Sequence, residues 1–171
     1  MPTTMRDLVV VLPGITGSVL TKDGGDLWAP SGEALWQYVS TLGSSLDALR
    51  LPPHDPNIPP DDGIIAADLV PDFHGIFGLG KIDGYSELID TICDNFEFDR
   101  NNFIKFPYDW RLSNRVNAGR LKKLIDENLE HLRITEPETD VILIAHSMGG
   151  LVSRYYLEVL EGWHDCGAFI T

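Results

Sequence analysis

The stretch Ala145-His146-Ser147-Met148-Gly149-Gly150 holds the clearest capacity for chemistry in the chain. It lies between an apolar run, Val141-Ile142-Leu143-Ile144-Ala145, and a segment from Met148 to Glu161 whose apolar residues recur at helical spacing. A serine on a tight turn from strand to helix lifts its hydroxyl above the sheet edge, and crowding there demands small neighbours. Ala145 and Gly149 are those neighbours, alanine standing where glycine is more usual. Such a serine is suited to nucleophilic acyl transfer. A helix starting at Met148 would turn its positive end and free N–H groups toward the oxyanion formed in that reaction.

A second stretch, Pro13-Gly14-Ile15-Thr16-Gly17-Ser18, follows the apolar run Leu8-Val9-Val10-Val11-Leu12. In folds with a serine elbow, the loop after an early strand supplies the other oxyanion N–H. Glycines at 14 and 17 permit the close backbone approach this requires. The expected donors are therefore the main-chain N–H groups of Ile15 and Met148. A phosphate-binding loop is a poor alternative, because no Gly-Lys-Ser/Thr follows.

The elements that must position these residues are legible from periodicity. Strands are expected at 8–12, 103–106, 141–145 and from Ala168 onward, each a short apolar run. Between them, Tyr85 to Phe96 carries Leu88, Ile89, Ile92 and Phe96 on one stripe. Ser113 is placed to cap a helix whose face is Val116, Leu121, Leu124, Ile125, Leu129 and Leu132. Strands alternating with amphipathic helices predict an α/β fold with a parallel sheet. The segment from Thr21 to Lys81 differs: it holds seven of the 11 prolines, with Trp28, Trp36, Tyr38, Phe73 and Phe77. It is expected to be an irregular insertion that covers the body, as a lid or substrate-binding loop.

Three strings together resemble the lecithin:cholesterol acyltransferase family: Val9 to Ser18, Phe106-Pro107-Tyr108-Asp109-Trp110-Arg111, and Ala145 to Gly150. The middle string is the most discriminating, since generic esterases carry the serine elbow without it. The resemblance implies an α/β-hydrolase fold, a mostly parallel sheet with helices on both faces, in one domain over 1–171. It implies Ser147 as the acyl-accepting nucleophile and the N–H groups of Ile15 and Met148 as the oxyanion hole. It also implies a lid-like 21–81 insertion that touches lipid, with Trp28, Trp36 and Phe77 as its apolar contacts. Asp109, Trp110 and Arg111 are expected to support the site, Asp109 and Arg111 by pairing, by anchoring the lid, or by touching substrate. The activity implied is lipid O-acyl transfer or phospholipase-type cleavage through an acyl-Ser147 intermediate. The alternatives are a carboxylesterase for small soluble esters and an inactive fragment that binds lipid or a partner.

In this fold the triad acid and base follow the serine in chain order. Only 171 − 147 = 24 residues do so here. Among them, His164 and Asp165 read as a solvated helix exit. His146 reads as structural, and His54, His74 and His131 as unsuited to be the base, although His74 falls in the presumed lid. The acid and base are thus expected outside these residues, and the chain to be cut after the strand that follows the nucleophile helix.

Composition narrows the partners. Thirteen basic and 26 acidic residues give a net charge of −13, which repels phosphate backbones and excludes nucleic acid as the natural ligand. The same charge disfavours anionic bilayers, so peripheral membrane contact would rest on apolar lid residues. Cys93 and Cys166 are too few and too isolated for a disulfide framework or a zinc site, and neither a metal nor a cofactor is expected. No apolar span approaches membrane-crossing length and no signal peptide is visible, which makes the cytoplasm the expected location.

Overall fold

The computed structural model describes residues 2–29, 47, 49–74, 81–82 and 84–171. Eleven strands and three helices are formed among them: β1 (Thr3–Thr4), β2 (Leu8–Leu12), β3 (Ser18–Lys22), β4 (Gly25–Trp28), β5 (Ile64–Leu69), β6 (Phe73–His74), β7 (Lys81–Ile82), α1 (Ser86–Asn95), β8 (Phe96–Glu97), β9 (Phe103–Lys105), α2 (Asn114–Leu132), β10 (Val141–Ala145), α3 (Met148–Val159) and β11 (Cys166–Ile170). The protein is α/β, with a four-stranded parallel sheet, a two-stranded parallel pair of β1 and β8, and two antiparallel sheets among the described residues.

The parallel sheet has the order β11-β10-β2-β9. Strand β2 is buried along its whole length, as an interior strand covered on both sides must be. Its side chains divide by parity. Leu8, Val10 and Leu12 join Val141, Leu143 and Ala145 of β10 in a cluster with Leu121, Ile125 and Leu129 of α2 and Val152 and Tyr156 of α3. Val11 instead meets Ile92 and Leu69, with Ile89 of α1 and Ile144 packed beside them. Helix α2 begins where Ser113 accepts a hydrogen bond from the Val116 N–H at 3.3 Å, satisfying a donor that the helix itself leaves open.

Because the four strands are parallel, the loops after β2, β9 and β10 all leave the same sheet edge. All three strings singled out in the sequence emerge there, where open α/β sheets bind ligands.

The described residues of the 21–81 segment are more regular than expected. Strands β3, β4 and β5 form an antiparallel sheet in the order β4-β3-β5. Its hairpin turns on Asp23 and Gly24, with φ of 51° and 78°. Asp-Gly is a pair suited to the left-handed conformation that tight hairpins need. That signal was present in the sequence, masked by the proline content around it. Trp36 and Phe77 lie outside the described residues.

Candidate active site

Ser147 bridges β10 and α3 with φ 50° and ψ −114°. A non-glycine residue held there stores on the order of 1–3 kcal/mol of strain, so its surroundings must over-determine it. They do so through the backbone. The His146 N–H donates to the Leu12 carbonyl at 3.0 Å, extending the β2–β10 ladder to the brink of the turn. The Gly149 and Gly150 N–H groups then donate to the His146 and Ser147 carbonyls, each at 2.9 Å. The serine side chain is exposed, and its hydroxyl makes no hydrogen bond among the described residues.

The small flanks have measurable reasons. A Cβ on Gly149 would stand 2.6 Å from the Pro13 carbonyl oxygen and 3.0 Å from that of Leu12. Both are main-chain atoms and cannot step aside. On the facing loop, a Cβ on Gly14 would lie 3.0 Å from His146 Nδ1 and 3.3 Å from Ser147 Cβ. The loop after β2 therefore lies directly against the serine. It is closed by a turn in which the Gly17 N–H donates to the Gly14 carbonyl at 3.1 Å, with Thr16 at φ 61°. Ile15, at the crest, leaves 59% of its surface exposed. The N–H groups of Ile15 and Met148 make no hydrogen bond among the described residues.

The Phe106–Arg111 string braces this loop through Tyr108 and Trp110. Tyr108 is fully buried; its hydroxyl donates to the Pro13 carbonyl at 2.7 Å and its N–H to Ser18 Oγ at 3.0 Å. The Trp110 indole N–H donates to the Ser18 carbonyl at 3.3 Å. Burial, with the nearby Tyr85 adding to it, pushes the Tyr108 hydroxyl far above its ordinary value of 10.0, so it remains a donor at neutral pH. Asp109 and Arg111 form a bidentate pair, Nε to Oδ1 at 2.9 Å and Nη2 to Oδ2 at 2.6 Å. Arg111 also reaches Asp62 Oδ2 at 3.0 Å, tying the 21–81 segment to the body. Both side chains of the Asp109–Arg111 pair are at least 94% buried, and they bond to each other and to Asp62, not to Ser147.

Trp28, at the end of β4, lies against the loop after β2. It is half-buried, its indole N–H donates to the Thr16 carbonyl at 2.9 Å, and its ring meets Trp110 edge-on at 5.5 Å. It thereby fastens the loop after β2 to β4. Each histidine whose side chain is described has an occupation of its own. His146 Nδ1 lies 2.9 Å from the Tyr85 hydroxyl, His131 Nδ1 2.7 Å from the Glu127 carbonyl, and His54 Nδ1 2.9 Å from the Pro52 carbonyl. His164 stacks on Trp163, and Asp165 pairs with Arg133 at 2.7 Å. Tyr85 is the site residue the sequence did not disclose. At the head of α1 it looks like one more apolar stripe member, and its partners at 14 and 146 are remote in sequence. Among the described residues, no group of three or more His, Cys, Asp or Glu side chains is placed to hold a metal ion. No described helix is long and apolar enough to cross a membrane.

A parallel sheet in which β10 ends in a strained serine turn beside a glycine loop defines the protein's class as α/β. The family model for lecithin:cholesterol acyltransferase matches residues 65–170, and the chain belongs to that family. It is 29% identical over 167 residues to lecithin-cholesterol acyltransferase-like 4 of Arabidopsis thaliana, an alignment covering 87% of this chain and 30% of that protein. It is 28% identical over 151 residues to uncharacterized protein YJR098C of Saccharomyces cerevisiae, covering 88% of this chain and 20% of that one. The chain thus spans less than a third of the length of these curated relatives. No solved structure matches it.

Two predictions follow from the packing. Gly149→Ala is expected to cost about 3 kcal/mol by overpacking against fixed backbone. Gly150→Ala, where the new methyl would meet only Thr171 Cγ2 at 3.6 Å, is expected to be neutral or to stabilise by up to about 1 kcal/mol through helix propensity. Urea unfolding of the two variants measures both, and equal effects would contradict the contact. Second, the folded state raises the Tyr108 pKa, so its contribution to stability is whole below pH 10 and is lost as pH climbs above that. Stability measured between pH 8 and 11 should fall, and fall less steeply in Tyr108→Phe.

Proposed function

We propose that the protein is a serine-dependent lipid acyl-transfer enzyme in which Ser147 carries the acyl group. The observation that carries this reading is the strained Ser147 backbone with the Gly14 loop packed against it. In the proposed reaction Ser147 Oγ attacks the carbonyl carbon of a lipid ester, and its proton passes to a general base. The carbonyl oxygen becomes an oxyanion that accepts from the Ile15 and Met148 N–H groups. Collapse of the intermediate releases the lipid alcohol, which takes up the proton, and leaves acyl-Ser147. Water or a second lipid alcohol then receives the acyl group, restoring the serine.

The base and its acid partner are not assigned to any described residue, because each described histidine ring is engaged elsewhere. In this reading they lie beyond residue 171, within a larger α/β-hydrolase sheet covered by helices on both faces, and residues 1–171 form part of that one domain. Family membership supports a lipid ester as substrate. The 21–81 segment is proposed to be the lid that meets the lipid surface, which the exposed Ile58 and Ile65 support.

A fluorophosphonate probe tests the nucleophile. The full-length protein should be phosphonylated in a time-dependent manner, and Ser147→Ala should abolish the labelling. Equal labelling of the two forms would refute the assignment.

A further inference from the structure

One peptide unit in the oxyanion loop is gripped at both ends by phenols. The carbonyl of Pro13 accepts from the Tyr108 hydroxyl at 2.7 Å. The N–H of Gly14, which belongs to the same peptide bond, donates to the Tyr85 hydroxyl, also at 2.7 Å. The two tyrosines come from separate elements, Tyr108 from the loop after β9 and Tyr85 from the head of α1. A peptide unit is planar, so fixing its oxygen and its hydrogen fixes the whole plane.

Why this peptide needs an external grip is clear from its surroundings. Gly14 has no side chain to restrict its dihedrals, and it cannot acquire one, because a Cβ would press on His146 and Ser147. Stiffness in this stretch must come from its partners. Tyr85 packs tightly there, since a Cβ on Gly17 would fall 2.9 Å from its hydroxyl. The same hydroxyl lies 2.9 Å from Nδ1 of His146, the residue before the serine. Having accepted from Gly14, it has its own proton to offer that nitrogen. A single oxygen therefore couples the loop to the elbow.

We infer that Tyr85 and Tyr108 are positioning residues of the oxyanion hole: they lock the Pro13–Gly14 peptide, withdraw the Gly14 N–H from the site and leave the Ile15 N–H as the loop's donor. This rests on the reading of Ser147 as nucleophile. Preorganised donors act because they need no reorientation as charge develops, and a donor displaced by a fraction of an ångström loses much of that advantage. Burial raises the Tyr85 pKa, although the Gly14 hydrogen bond opposes this, so the hydroxyl keeps its proton at neutral pH.

The test is the kinetics of fluorophosphonate labelling in the full-length protein, separated into a maximal inactivation rate and an apparent binding constant. Tyr85→Phe removes only the oxygen. Its maximal rate should fall about tenfold, with the binding constant changed less than about twofold, as expected when a preorganised donor is loosened without loss of binding surface. A wild-type rate in Tyr85→Phe, or a loss confined to the binding constant, overturns the inference while leaving the nucleophile assignment intact. Labelling that persists in Ser147→Ala overturns that assignment instead. Should Tyr85→Phe fail to fold, amide exchange of the wild-type protein decides the matter. A Gly14 N–H that exchanges slowly beside a fast Ile15 N–H supports the clamp, and a fast Gly14 N–H overturns it.

Discussion

The approach of the first turn of α3 to the Pro13 carbonyl constrains everything else at this sheet edge. β2 and β10 are adjacent and in register to their last residues, Ala145 opposite Leu12. Parallel neighbours lie about 4.8 Å apart, so the two chains leaving them contend for the same space. Gly149 yields that space by having no side chain, and Gly14 does the same from the other side. The strained conformation at Ser147 is what joins a strand to a helix within so short a distance. The serine is exposed and the loop lies beside it because the fold has no other room for either.

Around that contact the polar groups work chiefly as braces. Tyr108 and Trp110 hold Pro13 and Ser18, Trp28 holds Thr16, and Tyr85 spans from Gly14 to His146. A net intramolecular hydrogen bond adds only about 1 kcal/mol to stability, and a buried ion pair such as Asp109–Arg111 can break even against its own desolvation. What such interactions supply in full is direction. Arg111, clasped by Asp109 and reaching Asp62, sets where the 21–81 segment joins the body. Their common effect is to fix the loop after β2 against the turn at Ser147.

How much of this could be read from the sequence depended on the range of the interaction. The runs at 8–12 and 141–145 announce buried parallel strands because nothing polar interrupts them. Ser113 announces the start of α2 by its type and place. The elbow at Ser147 is visible because its constraint is local: strand, serine, glycine and helix follow one another directly. Tyr85 could not be found in this way, since the hydroxyl that matters meets Gly14 and His146 only once the sheet has formed. Asp62, among prolines, gives no local sign that Arg111 awaits it. The β3–β4 hairpin lay between these cases, with an Asp-Gly turn in plain view inside a segment whose prolines suggested irregularity.

Covalent capture offers the most direct trial of the account. A crystal structure of the protein after reaction with a phosphonate should show phosphorus bonded to Ser147 Oγ. The phosphoryl oxygen should lie within about 3 Å of both the Ile15 and Met148 nitrogens, the geometry of a working oxyanion hole. Phosphorus on another residue, or an oxygen turned away from those two nitrogens, would contradict it.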